Sequence, residues 1–200
     1  PDVAIVDPDL AETMPKKLTA HTGMDAMTHA IEAYVSTANC DFTDPLAIHA
    51  IEMIMKDLIP SYNGDMTARD NMHNAQCLAG MAFSNALLGI VHSMAHGLSA
   101  LYDTPHGVAC AIILPTGLEY NKSVAGERYR AVGKAMGVEG IDAMTAEEAA
   151  DATIAAVKKL SEDVGIPTNL KGILKEEDIQ FLAESAYADA CRPGNPRDTS

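Results

Sequence analysis

Chemistry in this sequence concentrates where its histidines do. Three of the seven, His92, His96 and His106, fall within the sixteen residues from Val91 to His106. His92 and His96 are four apart, and so are Asp25 and His29 upstream. On a helix that spacing puts two side chains on one face, one turn apart. An Asp and a His so placed offer two ligands to one cation, and further imidazoles can complete a nitrogen and oxygen set. Such a pair also has a plain structural use, because an Asp near a helix start suits the macrodipole and Asp–His hydrogen bonds are common. The surroundings tell against that use here. Met24, Met27, Ala30 and Ile31 flank the first pair, and an unpaired carboxylate in apolar company is costly. Asp25, His29, His92, His96 and His106 therefore point to a metal site. Not all five need to bind, since four such ligands leave room for a substrate and suit Fe2+, Zn2+ or Mn2+.

The remaining histidines have weaker settings. His21 precedes the first strongly patterned helix and reads as a surface or substrate-side residue, while His49 and His73 read as structural or surface positions. Phe83 and Tyr102 could line a small pocket, with core packing the plainer role for Phe83. No G-x-G-x-x-G or phosphate-loop pattern occurs, so no phosphate cradle is visible. No G-x-S-x-G elbow occurs either.

The elements that must position these groups are almost all helical. Val3–Val6 reads as a short buried strand, closed by Asp7-Pro8. Leu10–Leu18 reads as a connector, and Thr22-Gly23 as the opening of a helix over Met24–Val35. Thr43 and Pro45 predict a helix to about Ile59, followed by a turn over Pro60–Gly64. Helices over Met66–Leu87 and Gly89–Leu101 follow, then a turn at Asp103–Gly107. Val108–Glu119 and Glu127–Met136 read as two separate helices. Thr145-Ala-Glu-Glu148 is a capping box that opens a helix to about Asp163, and Glu176–Ala190 reads as the last one. The fold class expected is a single all-α helical bundle over residues 1–200, preceded by one short strand. Scarce aromatics at 4%, no Trp and 11 Met suit helices with small-residue contacts better than a sandwich.

Composition narrows the partners. A net charge of −14 argues against nucleic acid and against an anionic membrane. The four cysteines, Cys40, Cys77, Cys110 and Cys191, are widely spaced and read as free thiols of a cytoplasmic protein. No apolar run has the roughly 18 residues of a membrane span, and no signal peptide is apparent. The chain opens at Pro1 without a Met and closes on Gly194–Ser200, which reads like the start of another helix. Both features are those of a piece of a longer protein.

Taken together, these stretches resemble the iron-containing (group III) alcohol dehydrogenases, in the branch of lactaldehyde reductase and 1,3-propanediol dehydrogenase. The likeness is carried by Asp7–Leu10, Thr22–Tyr34, Gly80–Asn85, Gly89–His96 and Pro105–Ala109. Asp163–Pro167 and Gly194–Arg197 extend it over nearly the whole chain. One departure is Gly97, where many members carry Pro, which should loosen that helix locally.

The resemblance implies a dehydroquinate synthase-like C-terminal helical domain whose N-terminal NAD(P)-binding domain and last helix are absent. It implies Asp25, His29, His92 and His106 as ligands of Fe2+ (or Zn2+). His96 would lie at the nicotinamide end of the cofactor as the proton-handling residue. The activity implied is interconversion of a small primary alcohol or diol with its aldehyde by a homo-oligomeric enzyme, the isolated segment being inactive. Two alternatives differ in class: a zinc enzyme like glycerol dehydrogenase or dehydroquinate synthase, and a helical metal-binding module without catalysis.

Overall fold

Seven helices organise the described part of the chain, residues 2–199 of the computed structural model. They are α1 (Lys16–Val35), α2 (Asp44–Tyr62), α3 (Met66–Ala86), α4 (Ile90–Tyr102), α5 (His106–Ala135), α6 (Ala146–Asp163) and α7 (Ile179–Ala188). Single 3-10 turns occur at Pro8–Ala11, Ile141–Ala143, Glu176–Asp178 and Arg192–Gly194. The all-α expectation therefore holds. Pro1 and Ser200, the outermost residues of the two segments read as ends, lie outside the described residues.

The expected strand at Val3–Val6 does not form. No strand occurs among the described residues, and Val3 and Ile5 are exposed. A strand is satisfied by a neighbour that takes its backbone hydrogen bonds, and no described segment offers one.

α1 is the spindle of the fold. It packs against α2, α3 and α5, so Met24, Met27 and Ile31 on one side and Ala26, Ala30 and Ala33 on the opposite one are all buried. Opposite them lie Ile51, Ile54 and Leu58 of α2, and Leu114, Leu118 and Tyr129 of α5. Each such aliphatic side chain contributes about 1.5–3 kcal/mol by leaving water. α5 also packs on α4 and α6, and α7 closes over α4.

α1 begins well before the expected Met24. Thr22 does not cap it; its hydroxyl donates back to the Leu18 carbonyl at 2.9 Å. Gly23 is no break either. A methyl there would lie 2.2 Å from the Leu58 side chain, so the glycine serves the close approach of α2. Pro60 sits inside α2 rather than in a turn, and Pro115 inside α5. Each costs its helix a backbone bond without ending it.

α5 is likewise one helix where two were expected. Asn121, mid-way along it, exchanges amide hydrogen bonds with Asn195 at 2.9 and 2.8 Å, and Ala125 and Tyr129 beyond it are buried. The predicted capping box is present: the Thr145 hydroxyl accepts from the Glu148 amide at 3.2 Å and the Glu148 carboxylate from the Thr145 amide at 2.8 Å. Gly97 leaves α4 unbroken. Among the described residues no single helix is long and apolar enough to cross a membrane.

Candidate metal centre

Three helices deliver the chemical groups to one place. α1 carries Asp25, His29 and Glu32 along one side, α4 carries His92 in its first turn and His96 in its second, and α5 starts at His106 with Cys110 one turn on. The chain turns from α4 to α5 through Asp103, whose φ of 50° is left-handed. Asp is one of the few residues that tolerate it. This tight return sets His106 beside His92, with ring centroids 5.4 Å apart. α5 then meets α1 so closely that a methyl on Gly107 would lie 2.0 Å from the His21 carbonyl oxygen.

The start of α4 has no cap of its own, since Gly89 at that position offers no side chain. Glu32 supplies it from α1. Its carboxylate accepts from the Val91 amide at 2.8 Å, the His92 amide at 3.3 Å and the His92 Nδ1 at 2.5 Å. Asn195 adds an acceptor for the Ile90 amide at 3.3 Å.

At the centre, the Asp25 Oδ1 lies 3.5 Å from His92 Nε2, 3.5 Å from His106 Nε2 and 3.9 Å from His29 Nε2. Ligands about 2.1 Å from a tetrahedral cation lie roughly 3.4 Å from one another. The observed separations thus suit atoms arranged around a shared ion better than atoms bonded to each other. Asp25 Oδ1 and His92 Nε2 are moreover buried without a hydrogen-bond partner, which is costly unless something else engages them. The donors of Asp25, His92, His106 and Cys110 all lie within 4.8 Å of one another. His29 completes the wall, stacked between Phe83 at 4.5 Å and His92 at 4.6 Å.

The protonation states follow from burial and neighbours. Burial favours the neutral acid of Asp25, but His92, His29 and His106 outweigh it and hold the group below the usual carboxylate range. Burial depresses His29 to about 4, against the pull of Asp25. It also lowers His106, with His92 and His96 adding to the effect. Both imidazoles are therefore neutral near pH 7, the form that ligates. His92 is pushed up instead: burial would lower it, but Asp25, Cys110 and Glu32 outweigh that. Burial pushes the Cys110 thiol up to about 11.

His96 stands apart from this cluster. It is 45% exposed, stacks on His106 at 5.4 Å, and its Nδ1 lies 2.8 Å from the carboxylate of Asp189, just beyond α7. Asp189 also accepts from the Cys191 amide at 2.8 Å.

Four of the five residues singled out, Asp25, His29, His92 and His106, thus converge on one point, and His96 borders them through its stacking on His106. Glu32, Cys110 and Asp189 were not anticipated. A hint was available for two of them: Glu32 interrupts an apolar run, and Cys110 repeats the four-residue spacing after His106. His49 is a surface residue paired with Glu52. His21 lies inside α1, and His73 lines a cleft of about 410 Å3 beside Asp25 and His29. Phe83 supports His29, whereas Tyr102 donates to Asp178 at 2.6 Å and ties α4 to the turn before α7.

Comparison with known proteins identifies the family and the fold. Residues 19–200 match the model of the Fe-containing alcohol dehydrogenase family, C-terminal part. The chain is 55% identical over 202 residues to an NADPH-dependent butanol dehydrogenase of Clostridium saccharobutylicum, covering 98% of this chain and 51% of that protein. It is 47% identical over 201 residues to lactaldehyde reductase of Escherichia coli, covering 100% and 52%. An alcohol dehydrogenase structure from Oenococcus oeni superimposes with a TM-score of 0.94 at 45% identity, over 97% of this chain and 51% of that one. The chain therefore spans about half the length of the relatives it matches. With its helices superimposable and its family model matched from residue 19 onward, the chain belongs to the iron-containing alcohol dehydrogenase family, as its C-terminal helical domain.

Proposed function

We propose that this chain is the metal-bearing domain of an NAD(P)-dependent alcohol dehydrogenase that interconverts a small primary alcohol or diol and its aldehyde. The observation that carries the reading is the pair of buried, unpartnered atoms, Asp25 Oδ1 and His92 Nε2, facing His106 at cation-sharing distance. Asp25, His29, His92 and His106 would hold the ion, Fe2+ with Zn2+ as the alternative for such a donor set. Cys110 stays a buried neighbour, its thiol kept protonated by burial.

A divalent cation in that position supplies Lewis acidity at an alcohol or carbonyl oxygen. The protein's own part is orientation and proton handling. Asp25 is held ionised by the three imidazoles around it. His29 is fixed between Phe83 and His92 and cannot swing away. His96, exposed and anchored through Nδ1 to Asp189, presents its other nitrogen for a proton on the solvent side. Hydride transfer belongs to nicotinamide, which a domain N-terminal to these residues would bind. The segment alone is accordingly expected to bind little NADH and to be inactive. A cytoplasmic location fits four cysteines that are all free.

The test is metal analysis of the intact protein, purified anaerobically, together with alcohol-dependent reduction of NAD(P). About one metal per chain is expected, and His92→Ala should lower metal occupancy and cost most of the activity. Full activity in metal-depleted His92→Ala protein would refute the assignment. Net NADH formation from a small alcohol separates this reading from a dehydroquinate synthase-like lyase.

A further inference from the structure

We infer that Glu32 is a positioning residue for the metal centre: it fixes the tautomer and orientation of His92 so that Nε2 is free to face Asp25. The inference rests on the metal-site reading above but concerns a residue outside the ligand set.

The geometry leaves Glu32 little other work. It is 4% exposed, on the central helix, and makes no ion pair with a Lys or Arg. Its two oxygens take three donors, the amides of Val91 and His92 and the ring nitrogen Nδ1 of His92. An ionised carboxylate only accepts, so Nδ1 must carry the hydrogen. That leaves Nε2, the atom 3.5 Å from Asp25 Oδ1, as the nitrogen whose lone pair a cation can take in place of a second proton. A carboxylate behind a ligating histidine is a recurrent way of fixing the ring and raising its basicity. The two backbone bonds add something a lone carboxylate–histidine contact lacks. They lock the first turn of α4 to the same carboxylate, so ring and backbone are set by one group.

Glu32→Gln separates this role from simple capping. A glutamine has one acceptor oxygen and one donor nitrogen at its end. If the oxygen keeps the Val91 amide, the amide nitrogen faces Nδ1. His92 can then bond only as the tautomer with hydrogen on Nε2, which cannot ligate. If the glutamine turns over, a donor faces the Val91 amide and the helix start is strained. Either way, the ligand atom is lost or displaced while side-chain volume is kept.

The experiment is Zn2+ affinity, measured in the intact protein by competition with a chromophoric chelator, for wild type, Glu32→Gln, His92→Ala and the double variant. Glu32→Gln should bind Zn2+ about 10–100-fold more weakly than wild type. Added to His92→Ala it should change nothing further, since Glu32 acts through that ring. Affinity within threefold of wild type (on the order of experimental scatter), or an equal loss in both backgrounds, would overturn the inference. A wild type that binds no Zn2+ or Fe2+ would instead overturn the metal site itself. Should Glu32→Gln fail to fold, wild-type protein still decides the matter by 15N-imidazole NMR. His92 should show a slowly exchanging, downfield Nδ1 proton, and a rapidly exchanging one would refute the contact.

Discussion

Gly107→Ala should damage the site from outside its ligand set. The added methyl would lie 2.0 Å from the His21 carbonyl oxygen and 2.6 Å from its carbon. Carbon and oxygen normally approach no closer than about 3.3 Å, so the shortfall is roughly 1.3 Å. The obstacle is backbone within α1, which is packed on several sides and has nowhere to go. α5 must therefore retreat, and His106, the residue before, retreats with it. A shift on the order of 1 Å exceeds the ±0.2 Å tolerance of a metal–ligand bond several times over. Overpacking of this kind costs about 1–3 kcal/mol, and contact with backbone places it toward the upper end. For a chain of this size that is a fall in Tm of roughly 5–10 °C. Thermal unfolding with added chelator would read the packing cost, and Zn2+ titration the displacement of His106. A Gly107→Ala protein with wild-type Tm and wild-type Zn2+ affinity would refute the claim that this close approach positions His106.

Two further outcomes are expected. Cys110→Ser should keep its metal, whereas His29→Ala should lose more affinity than the roughly 10–100-fold typical of an outer-shell partner; the reverse order by metal analysis would move Cys110 into the ligand set. Thr145→Ala removes the box at the start of α6 and should lower stability by about 1 kcal/mol with metal content unchanged, as read by urea unfolding. Hydrogen bonds from the Thr145 amide and hydroxyl hold Glu148 below the usual carboxylate range. That part of the cap is present above the ordinary Glu pKa and lost as pH falls through the depressed one. Ala keeps the amide bond and loses only the hydroxyl's, so it is the hydroxyl's share of the Thr145→Ala deficit that should shrink in acid.

The ligand candidates were legible because helical spacing is a local property. Asp25/His29 and His92/His96 announce a shared face without any knowledge of the fold. Glu32 was not, because its work is done on amides 59 and 60 residues away, and no local pattern encodes that. The same holds for α5. Its middle, Tyr120–Gly126, carries weak helix formers, and the partner that holds Asn121 in place is Asn195, 74 positions on. Gly23 misled for a related reason. As a punctuation mark it signals a helix start, but its use here is to let Leu58 of a different helix come near. The strand expected at Val3–Val6 failed on the same ground, since apolar β-branched residues describe a strand only if a neighbouring strand exists.

The borrowed cap of α4 has a consequence for the order of events in folding. The helix that carries His92 has no side-chain cap within its own sequence. Its first turn is held by Glu32 before it and Asn195 after it, at separations of 59 and 105 residues. Contacts so distant form late, because the chain must first close long loops. His92 therefore gains its working orientation only when α1 and the Asn195 segment are both in place. Small zinc modules gather around their ion as they fold. Here the ion would be admitted to a cage that the completed fold has already built, so metal uptake should follow the slowest folding phase rather than start it.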